Sequence, residues 1–346
     1  MSLNLPKVSF VIIGHNEAAK IAECITSIFR LDYPENLKEI IYVDNFSTDQ
    51  SVAEAARFPI RILALQKDPP RPGLARNAGL AIATGELVQF VDGDMEMDAQ
   101  WLQHAVPLFQ ESRVGCVVGR LQEEHPQATR YNAVLDFSWK LKSLGAVEAP
   151  SGGGLFRREL AVQVKGYDET MRAGEEIDLG YKLRYAGFEI HSIPAVMARH
   201  DADLRGFRQM WRRSLRDGYG EMQVILKHWN ASQSWPQDYV WKMNAQVGLF
   251  LLCAVLIACA QQWLWLLPLG AAPVLLIARK MWRYGHQTGT WRVSFWYSFF
   301  LYFLMIPLVL GEFRCLWDRA RTRLHSQRTS RAKWQFVVAP SGAPKH

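Results

Sequence analysis

Four short apolar runs, separated by helix-length amphipathic segments and each ending in polar or acidic residues, fill the chain to about residue 110 and dictate a parallel sheet layered with helices. The run 8–13 ends at Gly14-His15-Asn16-Glu17. Ile21, Ile25, Ile28 and Phe29 then share one helical face until Leu31-Asp32-Tyr33-Pro34 stops it. The run 40–43 ends at Asp44-Asn45, and Ser47-Thr48-Asp49 reads as a helix N-cap. The run 60–65 precedes a Pro-rich loop and a helix predicted over 73–84, which carries Arg76 and Asn77. The fourth run, 87–91, delivers Asp92-Gly93-Asp94.

Open α/β sheets bind ligands at the carboxyl ends of their strands. Asn16, Glu17, Asp44, Asp92 and Asp94 all fall there. Two carboxylates one residue apart, just past a buried strand, can share a divalent cation, and that cation can hold a diphosphate. An Asp-x-Asp alone carries little, since a chain of this length holds about one by chance. Each residue taken singly is also an ordinary loop or turn polar group. One nucleotide-sugar site accounts for all of them together.

Beyond residue 110 the pattern loosens. The run 114–118 reads as a strand and 128–144 as a helix. Ser151-Gly152-Gly153-Gly154 is either a loop where backbone approaches something closely or a flexible connection. Gly174-Glu175-Glu176-Ile177-Asp178 leads into a helical stretch ending at Ala186-Gly187. Three acids suit the start of a helix dipole, and one of them is also placed to serve as a general base.

The C-terminal third is a different material. Apolar runs at about 245–260, 263–278 and 294–311 are each near the lower length limit for spanning a bilayer. Trp263, Trp265, Trp282, Trp291 and Trp296 lie near their ends, as an interfacial aromatic belt requires. A buried helical bundle is the competing account. From Arg279 onward there are 12 Lys and Arg against 2 Asp and Glu, a net of +10 within a chain total of +7, so residues 1–278 carry −3. A basic tail flanking apolar aromatic segments points to membrane phospholipid rather than nucleic acid. Two crossings return Arg279, Lys280 and Arg283 to the cytoplasm, whereas a third straight crossing would expel the tail against the positive-inside rule; Pro307 allows a kinked path that avoids this. Five scattered cysteines give no disulfide framework. Residues 1–6 lack a charged n-region and the run 8–13 is too short for a signal peptide, so the N-terminal part is expected in the cytoplasm.

In order and spacing, residues 8–17, the strand ending Val43-Asp44-Asn45, the helix from Gly73 through Arg76-Asn77 to Gly79, Asp92-Gly93-Asp94, Gly152-Gly153-Gly154 with Phe156-Arg157-Arg158, and Gly174-Glu175-Glu176-Ile177-Asp178 resemble family 2 glycosyltransferases with the GT-A fold. With its apolar C-terminal part the whole looks like bacterial enzymes of surface-glycan and exopolysaccharide assembly, of the succinoglycan-synthesis type. The resemblance implies an α/β GT-A catalytic domain over 1–225 with a mostly parallel central sheet, and a membrane-associated helical region over 226–346. It implies an inverting transfer from a nucleotide-sugar donor to a polyprenyl-linked acceptor, at the inner (cytoplasmic) membrane with the catalytic domain facing the cytoplasm. Close alternatives are direct transfer to polyprenyl phosphate, and a non-catalytic scaffold among other glycan-assembly proteins.

Carried over by position, Asn16 and Glu17 would line the nucleoside pocket and Asp44 would bind base or ribose. Arg76 would lie near the diphosphate, and Asp92 and Asp94 would bind the sugar and Mg²⁺ or Mn²⁺, with His200 a further metal or diphosphate ligand. Glu176 stands where many relatives carry Asp and would be the base, with Glu175 the other candidate. Gln209-Met210-Trp211-Arg212 is followed by Arg213 where processive synthases usually carry Trp, so transfer of one sugar is expected. Arg212, Arg213 and Arg216 fit either an acceptor pyrophosphate or an amphipathic helix on headgroups.

Overall fold

The strand Val8–Gly14 (β1) is buried at all seven positions, because it is apolar save for Ser9, whose hydroxyl bonds to Glu39, and has sheet neighbours on both edges. The computed structural model describes residues 5–66, 70–150, 153–230, 237–259, 261, 266–322 and 334–337. Two compact units emerge, one drawn from 1–124, 142–201 and 328–346, the other from 125–141 and 202–327.

Among the described residues the first unit carries all the strands: β1, β2 (Lys38–Asp44), β3 (Arg61–Leu65), β4 (Leu87–Asp92), β5 (Met95–Met97), β6 (Val114–Glu123), β7 (Gly145–Val147), β8 (Gly154–Arg157), β9 (Glu189–His200) and β10 (Trp334–Val337). Their order is β10-β3-β2-β1-β4-β8-β6-β9-β5, with β7 beside β9. The α/β expectation holds: β3, β2, β1 and β4 are parallel, as the alternating pattern demands. Past β4 the sheet is mixed, since β8 runs antiparallel to both β4 and β6 while β6 and β9 are parallel. The chain reverses its direction of travel across the sheet between β1 and β4, and this switch point opens a crevice at their carboxyl ends.

Register does the positioning. Gly14 lies opposite Asp44 on one side, and Ile13 lies opposite Asp92 on the other. The edge pairing of β5 with β9 sets Met95 against His200, bringing that histidine to the residue next to Asp94. Of the helices in this unit, α1 (Ile21–Phe29), α2 (Ser51–Ala55), α3 (Pro72–Ile82) and α4 (Trp101–Ala105) follow the first strands, and α6 (Arg158–Gln163) and α7 (Glu175–Tyr185) come later, while α5 (Arg130–Lys140), between α4 and α6, belongs to the second unit. A Cβ on Gly79 would stand 2.2 Å from Val11 Cγ1, so α3 lies directly on β1 and holds Arg76, one turn earlier, at the crevice.

Several boundaries differ from expectation. The segment Ser47-Thr48-Asp49 is not an N-cap, because α2 starts at Ser51; Asp49 Oδ1 instead receives the Ser51 N–H and hydroxyl. The helix expected over 128–144 is α5, shorter at both ends and capped by the Thr129 hydroxyl, which accepts from Asn132 N. β6 runs five residues past Val118, because its later residues pair with β9 through register shifts. Ser151 and Gly152 lie outside the described residues.

The second unit gathers α5 with α8 (Phe207–Lys227), α9 (Gln237–Cys259), α10 (Leu266–Thr288), α11 (Trp291–Phe303) and α12 (Met305–Thr322). Parts of the runs 245–260 and 263–278, with Trp263 and Trp265, lie outside the described residues. The run 294–311 is split where α11 ends at Phe303. Pro307 supplies no N–H and its ring conflicts with the carbonyl four residues back, which is Phe303. Among the described residues, one helical stretch, Trp291–Arg321, is long and apolar enough to cross a membrane, and only 28% of its apolar window is buried. α8 and α12 run antiparallel at very close range: a Cβ on Gly218 would meet Leu308 O at 2.0 Å, and one on Gly311 would meet Leu215 O at 2.1 Å.

Candidate active site

Asp92 and Asp94 emerge from β4 into the crevice, and the turn between them is fixed by the Gly93 N–H donating to Ile13 O at 2.8 Å. Gly93 is closely covered, since a Cβ there would lie 3.2 Å from Glu17 Cγ. Glu17 therefore leans over the Asp92-Gly93-Asp94 turn. Burial, then Asp94, Asp92 and Asp49, push its carboxyl up to about 7.

His200 Nε2 stands 3.1 Å from Asp94 Oδ2. The other oxygen, Asp94 Oδ1, is buried with no hydrogen-bond partner. An anionic oxygen deprived of water and of protein donors is costly, and a hard divalent cation is the group that satisfies it. With Asp92, Glu17 and His200 adjacent, the donor set fits Mg²⁺ or Mn²⁺.

Asn16 and Asp44 organise the neighbouring loops. Asn16 has a left-handed backbone (φ 60°), and its Oδ1 accepts from Thr48 N at 2.8 Å while its own N–H donates to Ser47 Oγ. Asp44 is buried, accepting from the Tyr42 hydroxyl at 3.0 Å and from Ser47 N at 3.0 Å. These bonds lock the loop after β1 to the loop after β2, shaping the side of the crevice at the end of β2.

Arg76 is the hinge of the other side. It is 4% exposed and its guanidinium is spent on acids: Nη2 donates to Asp92 Oδ1 at 2.8 Å, Nη1 to Glu175 Oε1 at 2.8 Å, and Glu176 Oε1 lies 3.5 Å away. Burial alone would lower its pKa, but Asp92 and the other surrounding acids outweigh that and raise it, so the charge is permanent. The Tyr167 ring lies beneath at 5.2 Å.

Glu175 and Glu176 open α7, whose N-cap Gly174 is left-handed at φ 78°. Glu176 accepts a hydrogen bond from Gly153 N at 3.1 Å. Gly153, at φ 85°, sits so close to β4 that a Cβ would be 2.5 Å from Phe90 O, the close backbone approach expected of the glycine loop. Burial raises the Glu176 carboxyl; Arg76 lowers it, while Glu175 and Asp92 raise it further. Glu175, held at 2.8 Å by Arg76, is the more tightly engaged of the two acids. The structure thus brings Asp92, Arg76, Glu175 and Glu176 into one network, with Asp94, His200 and Glu17 beside it. Tyr42, Asp49 and Tyr167 belong to this surrounding too, and sequence patterning offered no signal for them because each occupies an ordinary core or loop position.

Residues 9–167 match the model of glycosyl transferase family 2. The chain is 26% identical over 235 residues to Glycosyltransferase AglE of Haloferax volcanii, covering 65% of this chain and 76% of that one. It is 26% identical over 243 residues to a Beta-monoglucosyldiacylglycerol synthase of Nostoc, where 66% of this chain spans about half, 51%, of the relative. In fold it matches the Mannosyltransferase PcManGT of Pyrobaculum calidifontis, solved with GDP-Man and Mn²⁺, at a TM-score of 0.59 and 21% identity over 92% of this chain and 89% of the other. Sheet order and crevice define a GT-A nucleotide-sugar transferase fold. Over residues 9–167 the chain is thus similar to family 2 glycosyltransferases, and its fold is the GT-A fold.

Proposed function

We propose that the chain transfers one sugar, with inversion, from a nucleotide-sugar donor to a polyprenyl-linked acceptor at the cytoplasmic face of the inner membrane. The observation that carries this reading is the Arg76 network, in which one guanidinium joins Asp92 to Glu175 and Glu176 across about 80 to 100 residues of sequence. It holds the turn that would meet the diphosphate and the acid that would meet the acceptor in a single crevice.

In this mechanism Asn16 and Asp44, through the loops they lock, form the nucleoside side. Asp92, Asp94 and His200 would hold Mg²⁺ or Mn²⁺, and a bound ion would supply positive charge where the diphosphate departs. Glu176 accepts the acceptor hydroxyl proton as that oxygen bonds to the anomeric carbon. The bond from that carbon to the diphosphate oxygen breaks with its electron pair, and a single displacement inverts the centre. Its raised pKa suits Glu176 to the base role, since a more basic carboxylate takes a proton more readily. Arg76 positions the acids and keeps their charge balanced rather than contacting the donor.

A lipid-linked acceptor is supported by the stretch Trp291–Arg321, mostly unburied, by the basic tail, and by a relative named as a glycolipid synthase. The purified full chain, given Mg²⁺ or Mn²⁺, a panel of nucleotide sugars and polyprenyl acceptors, is expected to release nucleoside diphosphate with at least one donor. The reading fails if no donor turns over, or if Asp94→Ala matches the wild type. Product mass separates a pyrophosphate-linked acceptor from polyprenyl phosphate itself.

A further inference from the structure

One side of α11 and α12 is apolar and open along its whole length. Phe295, Phe303, Ile306, Leu310, Phe313 and Trp317 are each 39% to 63% exposed, and their steps of eight, three, four, three and four residues keep them on one helical face through the break after Phe303. Phe299 stacks between Phe295 and Phe303, with ring centroids 6.4 and 5.5 Å apart, so the face is continuous. The opposite side is packed: Ser294 and Ser298 are fully buried, and Glu312 and Cys315 nearly so. An apolar stripe of this length marks an interaction surface.

Charge identifies what covers it. After Asp318 the chain carries 7 Lys and Arg and no Asp or Glu. Arg314 is exposed beside the stripe, and the Arg321 guanidinium lies 4.9 Å from the centre of the Trp317 ring. An aromatic apolar face edged by cations matches the boundary between headgroups and acyl chains in a bilayer containing anionic phospholipid.

The stretch is long enough to cross that bilayer, and its neighbours decide against a crossing. The middle of α12 meets α8, where Gly218 faces Leu308 and Gly311 faces Leu215. Beside that contact Arg216 and Asp217 pair at 3.6 Å with side chains 61% and 46% exposed. α11 meets α5 through Tyr297 on Phe137 at 5.2 Å and Phe300 on Tyr131 at 5.4 Å. Next to Phe137, Asp136 pairs with Lys140, whose side chain is 58% exposed. A crossing would carry these exposed ion pairs into the hydrocarbon, where charge is strongly unfavourable. Helices lying in the plane of the surface give the stripe to lipid and leave the pairs in water. Taken separately, the 13 residues of α11 and 18 of α12 measure about 20 and 27 Å, each short of the roughly 30 Å core.

We propose that α11 and α12 lie flat in the membrane surface, with the stripe from Phe295 to Trp317 sunk into the headgroup–acyl boundary, and do not cross the bilayer. This rests on the membrane location in the proposed function and not on the transfer chemistry. It keeps the basic tail on the same side as the residues before Trp291, as the positive-inside rule asks.

The test uses the full chain with Cys253→Ser and Cys259→Ser, which leaves three buried cysteines. Gln287→Cys and Ala320→Cys flank the stretch, and in sealed inverted membrane vesicles both should react with an impermeant maleimide from the same side before detergent is added. Spin labels at Phe295→Cys, Phe303→Cys, Leu310→Cys and Trp317→Cys, in vesicles of phosphatidylcholine and phosphatidylglycerol, should report one shallow depth of about 5 to 10 Å by oxygen and nickel-chelate relaxation. Should a stripe variant misfold, the maleimide pair decides alone. The proposal is overturned if one flanking cysteine reacts only after detergent, or if depth peaks midway along the stripe, since both describe a crossing. It is overturned equally if oxygen reaches none of the labels, which would mean that a second copy of the chain covers the stripe. These outcomes leave the membrane location standing, whereas absence of the chain from the membrane fraction removes that location and this inference together.

Discussion

Arg76 reaches from α3 to Asp92 at the end of β4 with a contact of 2.8 Å, and this ion pair fixes the relation between the helix and the Asp92-Gly93-Asp94 turn. The same guanidinium carries the load of Glu175 and Glu176, so its planar fork matters as much as its charge. A lysine offers one point charge and no fork. Arg76→Lys should fold but lose about 100-fold in kcat, with a smaller change in donor KM. Arg76→Met leaves buried acids uncompensated and should cost about 3 to 5 kcal/mol of stability. Denaturant titration and steady-state kinetics read both, and wild-type kcat in Arg76→Lys would remove Arg76 from the positioning role.

The pairing of His200 with Asp94 makes a separate claim about the ion. Asp94→Asn keeps shape but discards the anionic oxygen, and metal-dependent binding of nucleoside diphosphate by calorimetry should vanish. His200→Ala should raise the Mn²⁺ concentration for half-maximal activity by about 10- to 100-fold while leaving kcat at saturating Mn²⁺ within a few-fold. An unchanged Mn²⁺ requirement would place His200 outside the ion's shell.

Glu176 and Glu175 differ enough to be told apart. A base works only when ionised, so activity should fall as pH drops through the Glu176 pKa, which burial sets above the ordinary glutamate range. Glu176→Gln should lower kcat by about 100- to 10,000-fold. Glu176→Asp, one methylene shorter, should keep partial activity. Glu175→Gln should lower kcat less than Glu176→Gln and preserve the acid limb of the pH–rate profile. The reverse pattern would assign the proton transfer to Glu175.

The parallel half of the sheet was readable because β1, β2, β3 and β4 are apolar runs with punctuated ends, and local pattern decides such strands. The same pattern sets Asp92 and Asp94 at the end of a strand. The mixed half was not, because β8 and β9 are placed by pairing across the sheet rather than by their own residues. His200 meets Asp94 through the β5–β9 register, a long-range relation that spacing along the chain does not carry. Arg76 was expected near the diphosphate, but its solvent-excluded position depends on how closely Gly79 lets α3 approach Val11. The third apolar run reads as one segment that Pro307 allows to kink, and the structure breaks it at Phe303, four residues before that proline.

The Glu17 carboxyl turns the crevice's charge into a measurable pH effect. Its ordinary value is 4.5 and the folded value about 7, so the folded chain binds the proton more tightly than the unfolded chain. Between these two pH values only the folded form holds the proton, and stability falls as pH rises through that window. Below it both forms are protonated and no difference remains. Above it both are ionised and the full penalty applies, on the order of 1 to 2 kcal/mol after discounting for solvent screening. In metal-free protein Glu17→Gln should therefore be more stable than wild type at pH 8, with a flatter dependence between pH 5 and 8. Mn²⁺ supplies the missing positive charge and should stabilise the wild type more at pH 8 than at pH 5. Parallel stability curves for wild type and Glu17→Gln, measured by denaturant titration in chelator, would show that the acids at this turn do not sense one another.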